Sequence, residues 1–185
     1  MASIGQVRAT LDDLYRMEGQ AELIGGRIVR MATGHRPNQV AGNIFVSLRV
    51  YSRSRGKGHA YTDSMGFAVS EMPSGRESFS PDASYYDGPL PANSMRFIEG
   101  PPTFAAEVRS ENDYGPAANA EYAAKRVDYF AAGTLAVWDV DPLAETVTLY
   151  RAAAPHQPVV FRKGAIADAE PAVPGWRMTV DDVFA

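Results

Sequence analysis

Two acidic residues stand where a strand pattern does not ordinarily put them. In Ser80-Pro81-Asp82-Ala83-Ser84, Asp82 follows a proline that prevents full ladder pairing, and a period of two sets Ser80, Asp82, Ser84 and Tyr86 on one face. In Phe104-Ala105-Ala106-Glu107-Val108-Arg109-Ser110 a charge interrupts the apolar run at alternate positions. Glu107 and Arg109 then share one face, and Phe104, Ala106 and Val108 the other. A carboxylate on a central strand is costly to bury unless it is paired or bound to a metal. Two carboxylates from neighbouring strands are what magnesium requires, because the ion takes hard oxygen ligands and keeps several waters. An ion so held can activate water and offset the charge that builds on a phosphate. A nearby cation would help, and the sequence offers Arg109 beside Glu107 and Lys125 on the helix that follows. The residues alone leave plainer readings open: Asp82 on the solvent face of an edge strand, a Glu107–Arg109 pair, or a structural salt bridge from Glu107 to another strand.

The elements that must position these groups can be read along the chain. Thr10-Leu-Asp-Asp-Leu-Tyr reads as a short helix capped by Thr10, with Asp12 and Asp13 suited to its first turn. Ala21 to Met31 alternates about a Gly25-Gly26 pair, which predicts a tight hairpin with Glu22 on its first strand. Val40, Ile44, Leu48 and Tyr51 give a helix over Asn38 to Ser54, stopped by Gly56-Lys57-Gly58. Strands are expected over His59 to Val69, Phe79 to Tyr86 and Thr103 to Ser110, with a loop from Leu90 to Pro102. An Ala-rich helix over Ala117 to Ala132 ends at Gly133, and strands follow at Leu135 to Val140, Thr146 to Arg151 and Pro158 to Arg162. In that helix Ala120, Ala123, Ala124, Val127 and Ala131 form the apolar stripe, and Glu121, Lys125 and Tyr129 form a second one. Lys125 lies roughly 140° from the centre of the apolar stripe, so periodicity makes it a surface residue paired with Glu121.

Composition sets outer limits. The 185 residues, 45% hydrophobic and 22% charged, suit one domain with a full core, and no composition break marks a linker. Without cysteine there is no disulfide, no thiolate zinc site and no thiol nucleophile, so a metal must be held by oxygen or imidazole. The N-terminus lacks a leader pattern and no stretch approaches the roughly 18 apolar residues of a membrane span, so a soluble cytoplasmic protein is expected. The net charge of −4 argues against binding nucleic acid by bulk electrostatics, although a bound metal adds charge that a sequence count omits. Arg49, Arg53, Arg55, Lys57 and His59 fall within eleven positions, which a solvated helix end also explains.

Taken together and in order, these segments resemble the Uma2 family of restriction-endonuclease-like proteins, long known as a domain of unknown function within the PD-(D/E)XK nuclease superfamily. The resemblance runs nearly end to end. It rests on Glu22-Leu-Ile-Gly-Gly-Arg in the hairpin, Ser80-Pro-Asp-Ala, Ala106-Glu-Val-Arg-Ser, and Lys125-Arg-Val-Asp-Tyr-Phe-Ala-Ala-Gly followed by Val137-Trp-Asp-Val-Asp-Pro. Val173-Pro-Gly-Trp and Val180-Asp-Asp-Val-Phe match its C-terminal end. Four positions depart from the family pattern: Arg109 stands at the superfamily lysine position, Gly25 replaces an aspartate, Gly26-Arg27 replaces Gly-Glu, and Asn112-Asp113 replaces a Pro-Ser turn. A histidine usual before the long helix is also displaced, with Pro37 near its place and His35 two residues earlier.

The resemblance implies a single-domain α/β protein over residues 1–185, with a restriction-endonuclease-like fold and a mixed central β-sheet flanked by helices. It implies an endonuclease that hydrolyses DNA with Mg²⁺ or Mn²⁺ bound by Asp82 and Glu107, with Glu22 as a third acidic member. Lys125, a helix lysine, would stand in for the superfamily lysine, with Arg109 assisting; arginine can stabilise charge but cannot act as a base. A homodimer suits cleavage of a duplex, although nothing in the sequence requires one. Two alternatives compete: a nuclease-fold protein that binds nucleic acid or a protein without cutting, and a glycoside hydrolase using Asp82 and Glu107, for which Trp138 and Trp176 are few aromatics.

Overall fold

The structure, a computed structural model, describes residues 8–17, 21–30 and 33–185. Its elements in chain order are α1 (Leu11–Tyr15), β1 (Ala21–Ile24), β2 (Arg27–Arg30), α2 (His35–Arg55), β3 (His59–Thr62), β4 (Phe67–Ala68), β5 (Ser78–Phe79), β6 (Ala83–Tyr86), β7 (Ile98–Glu99) and β8 (Phe104–Val108). They continue with α3 (Pro116–Ala132), β9 (Ala136–Asp141), β10 (Thr146–Arg151), β11 (Ala154–Phe161), β12 (Ile166–Asp168), β13 (Arg177–Thr179) and α4 (Val180–Val183).

Local chemistry explains the boundaries. Thr10 and Asp13 form a reciprocal capping box at α1. Gly25 and Gly26, at φ 57° and 70°, make the β1–β2 turn that side-chain-bearing residues resist. The rest of that hairpin expectation, at Met31, lies outside the described residues. Helix α2 begins three residues earlier than its periodicity suggests and ends on Gly56, a left-handed cap. Pro116 opens α3, where its missing N–H costs nothing, and Gly133 closes it.

The main sheet has six strands in the order β11-β10-β9-β8-β6-β3. All neighbours are antiparallel except β8 and β9, which run parallel because α3 carries the chain back between them. Helix α2 covers one face, setting Val40, Ile44 and Leu48 against Ala60, Ala83, Tyr85, Phe104 and Ala106. The other face carries a second cluster of Phe67, Phe79, Tyr86, Ile98, Ala105, Tyr129 and Val137.

Several expected elements differ. The strand over His59 to Val69 divides into β3 and β4, which belong to separate sheets, because the chain turns at Asp63 and Ser64. The strand over Phe79 to Tyr86 also divides, into β5 and β6. Pro81 supplies no ladder donor, so Asp82 stands at the entrance to β6 instead of inside a strand. The Leu90 to Pro102 loop contains β7, which pairs in parallel with β4. The largest correction concerns α3. Ala120, Ala123, Ala124, Val127 and Ala131 are exposed, whereas Lys125, Asp128 and Tyr129 are buried. The helix turns its polar stripe inward, because buried carboxylates there compensate the lysine more strongly than burial of alanine methyls would reward the opposite face.

Candidate active site

Four elements converge on a cleft of about 200 Å³ whose lining includes Glu22, Arg76, Asp82, Glu107, Tyr122 and Lys125. Glu22 comes from β1, Asp82 from the entrance to β6, Glu107 from β8 and Lys125 from α3. The antiparallel register of β6 with β8, Ala83 opposite Ala106, brings the ends carrying Asp82 and Glu107 side by side.

Lys125 is the hub. Its Nζ lies 2.8 Å from Glu107 Oε2 and 3.1 Å from Glu22 Oε1, so the expected surface pair with Glu121 does not form. Tyr129 OH, one turn along the helix, donates to Glu107 Oε1 at 2.5 Å. Glu22 is buried to 1% exposure and its charge is offset from three directions: Arg76 Nη1 bonds Oε2, and the Ser80 N–H donates to Oε1 at 2.9 Å beside Lys125. Asp128 anchors Arg76 from beneath, 3.5 Å from Nε, and takes hydrogen bonds from the backbone and hydroxyl of Ser74.

These contacts set the charge states. Burial alone would raise the Glu22 pKa, but Lys125 and Arg76 hold it below the ordinary value. Burial opposes the charge of Lys125, and Glu107 and Glu22 overcome it, raising its pKa, so the ammonium stays protonated. Glu107 is pushed up by burial, with Glu22 working against the help of Lys125. Asp82 is pushed up to about 7, first by burial and then by the charge of Glu107. It accepts the Val108 N–H at 2.7 Å through Oδ2. Its other oxygen takes no hydrogen bond from the described residues and opens on the cleft.

Arg109 does not join this group. Its guanidinium makes a two-point pair with Asp139, both contacts at 2.8 Å, and continues to the Asp113 carbonyl and Asn119. Asp139 sits opposite Glu107 in the β8–β9 register, and Arg126 approaches it at 3.4 Å. Arg109 and Arg126 thus neutralise the neighbour of Glu107 and leave Lys125 to Glu107 and Glu22. Sequence reasoning passed over Arg76, Asp128 and Asp113. Arg76 sits in a turn with no period to mark it, whereas the spacing of Lys125, Asp128 and Tyr129 at i, i+3 and i+4 was a usable sign of one buried face. Asp113 lines the cleft edge, accepting from the Ser110 backbone and hydroxyl and from Tyr122.

Among the described residues no group of three or more His, Asp or Glu could hold a metal ion. No helix among them is long and apolar enough to cross a membrane. Comparison with known proteins matches residues 9–181 to the family described as "Uma2: Putative restriction endonuclease". A similar solved structure is that of a putative nuclease belonging to DUF820 from Anabaena variabilis ATCC 29413. It is 19% identical, with a TM-score of 0.72, over 95% of this chain and 97% of that one. No curated protein matches. At that identity the likeness establishes the nuclease fold.

Proposed function

The chain belongs to the Uma2 family of putative restriction endonucleases, and from that premise we propose that it hydrolyses DNA phosphodiester bonds with Mg²⁺ or Mn²⁺ held by Asp82 and Glu107. The observation that carries the reading is the convergence of two mutually repelling carboxylates and one protonated lysine on a single cleft. Both donors are carboxylate oxygens of the kind a hard divalent ion takes: Asp82 offers the oxygen that Val108 leaves free, Glu107 would exchange Lys125 or Tyr129 for the ion, and the repulsion that raises Asp82 is what such an ion would relieve.

When bound, the ion supplies a water made acidic enough to attack and a charge to set against the phosphate. The chain does the rest. Lys125, held protonated, neutralises charge on the reacting phosphate and is excluded as a base. Glu22 acts on Lys125 in place of a water, because Arg76, Ser80 and Lys125 occupy its oxygens. Tyr129 fixes the Glu107 carboxylate. Arg109 contributes indirectly, through Asp139 and through the Asp113 carbonyl and Asn119 at the cleft edge. In this reading residues 1–185 act as one domain in the cytoplasm, a setting that suits a cysteine-free chain, and a homodimer would offer two clefts to the two strands of a duplex.

Nicking of supercoiled DNA with Mn²⁺ is the test. The wild type cuts, while Asp82→Asn, Glu107→Gln and Lys125→Met each lose about a hundredfold or more. Absence of cleavage of any DNA or RNA form at high protein concentration with Mn²⁺ overturns the proposal.

A further inference from the structure

The basic residues noted in the sequence do not line the cleft. They form a second groove of about 360 Å³ between the end of α2 and the start of β3, lined by Arg49, Arg53, Lys57, His59 and Tyr61. Arg49 and Arg53 are four residues apart and therefore share a helix face. Complementing the helix dipole accounts for Arg53 and Arg55 in the last turn, but Arg49 lies before that turn and Lys57 and His59 beyond the helix. Arg49, Arg53 and Arg55 form no ion pair with any described residue, whereas Lys57 is paired with Asp87 at 2.8 Å. In a chain of net charge −4 this is a concentrated excess of exposed, uncommitted guanidinium.

An aromatic surface adjoins it. His59 and Tyr61 alternate along β3 and stack with centroids 6.2 Å apart and planes 26° from parallel; His59 is exposed and Tyr61 half-buried. Cations that follow a backbone beside rings that accept bases are the means by which proteins hold unpaired nucleotides. Tyr85 closes the groove beneath Gly58: a Cβ there would lie 2.0 Å from the Tyr85 hydroxyl, so this close approach requires glycine. β3 is the free edge of the sheet, and its pairing sets His59 opposite Tyr86 and Thr62 opposite Ala83, next to Asp82. At about 3.3 Å per strand residue, Tyr61, opposite Ser84, lies roughly 7 Å from Asp82 along the sheet, and His59, opposite Tyr86, roughly 13 Å.

We propose that this groove binds a single-stranded arm of the DNA, with Arg49 and Arg53 on phosphates and His59 beneath a base, so that the preferred substrate carries unpaired nucleotides beside the cut. The proposal rests on the nuclease reading for its substrate, but its test does not use cleavage. Binding of a fluorescent single-stranded oligonucleotide and of a blunt duplex is measured by anisotropy in EDTA across a salt series, with folding of each variant checked by circular dichroism.

Arg53→Glu is expected to weaken single-strand binding about tenfold and to flatten the salt slope by about 0.7. His59→Ala is expected to weaken binding with the slope unchanged. Arg55→Glu makes the same charge change outside the groove; an equal loss there would reduce the effect to general electrostatics and overturn the proposal. So would unchanged binding in Arg53→Glu, or tighter binding of blunt duplex than of single strand. Groove-dependent binding by a protein that cuts nothing supports this site while removing the nuclease reading.

Discussion

Asp82 carries the clearest pH consequence. Its carboxyl titrates near 7 in the folded chain against an ordinary value near 4. Below that lower value it is protonated whether folded or unfolded and costs nothing. As pH rises from 4 to 7 the unfolded chain ionises first, stability falls, and the full cost persists above 7. At about 1.4 kcal/mol per pH unit the cost is at most about 4 kcal/mol, and water in the open cleft reduces it to about 2. Asp82→Asn, which keeps an acceptor for the Val108 N–H, should therefore be more stable than wild type at pH 8 by about 2 kcal/mol and indistinguishable near pH 4. Urea unfolding at the two pH values checks this, and an equal gap at both would refute it. Glu107 was legible in the sequence because its strand is otherwise apolar. Arg109 was misleading because strand alternation gives a face but not a partner, and Asp139 lies thirty residues away.

At the scale of elements, α3 shows where pattern reading fails. A hydrophobic stripe points inward when the opposing surface is apolar, but the sheet face beneath α3 presents Glu107 and Asp139, with Glu22 alongside. Side-chain charge on another element decided the rotation, and no window of the helix's own sequence contains it. Val127→Lys accordingly should change stability by no more than about 0.5 kcal/mol, the usual range for exposed positions. A loss of 2 kcal/mol or more in thermal unfolding would return Val127 to the core. By contrast α2 obeys its period: Val40, Ile44 and Leu48 are fully buried as their spacing requires. The divided strands have a different cause, since two-residue ladders such as β4 and β5 are too short to leave a periodic trace.

Across the whole molecule, the C-terminal segment closes the α2 side of the core. Trp176 packs 4.9 Å from the Trp138 ring and 5.8 Å from Phe104, and its indole N–H donates to Ser47 on α2 at 3.0 Å. Trp176→Ala should cost about 3–5 kcal/mol in denaturant unfolding, and a cost under 1 kcal/mol would show that this segment merely rests on the surface. The crossover between β8 and β9 reaches further than packing. Glu107 and Lys125 are eighteen residues apart and belong to one strand–helix–strand unit, while Glu22 arrives from the hairpin near the start of the chain. Contacts close in sequence form with less loop entropy to overcome, so the glutamate and its lysine can meet while Glu22 is still at large. The crossover would then carry its own charge compensation from the outset: Glu107 is paired with Lys125 before the hairpin docks, and Glu22 joins the same ammonium when it does.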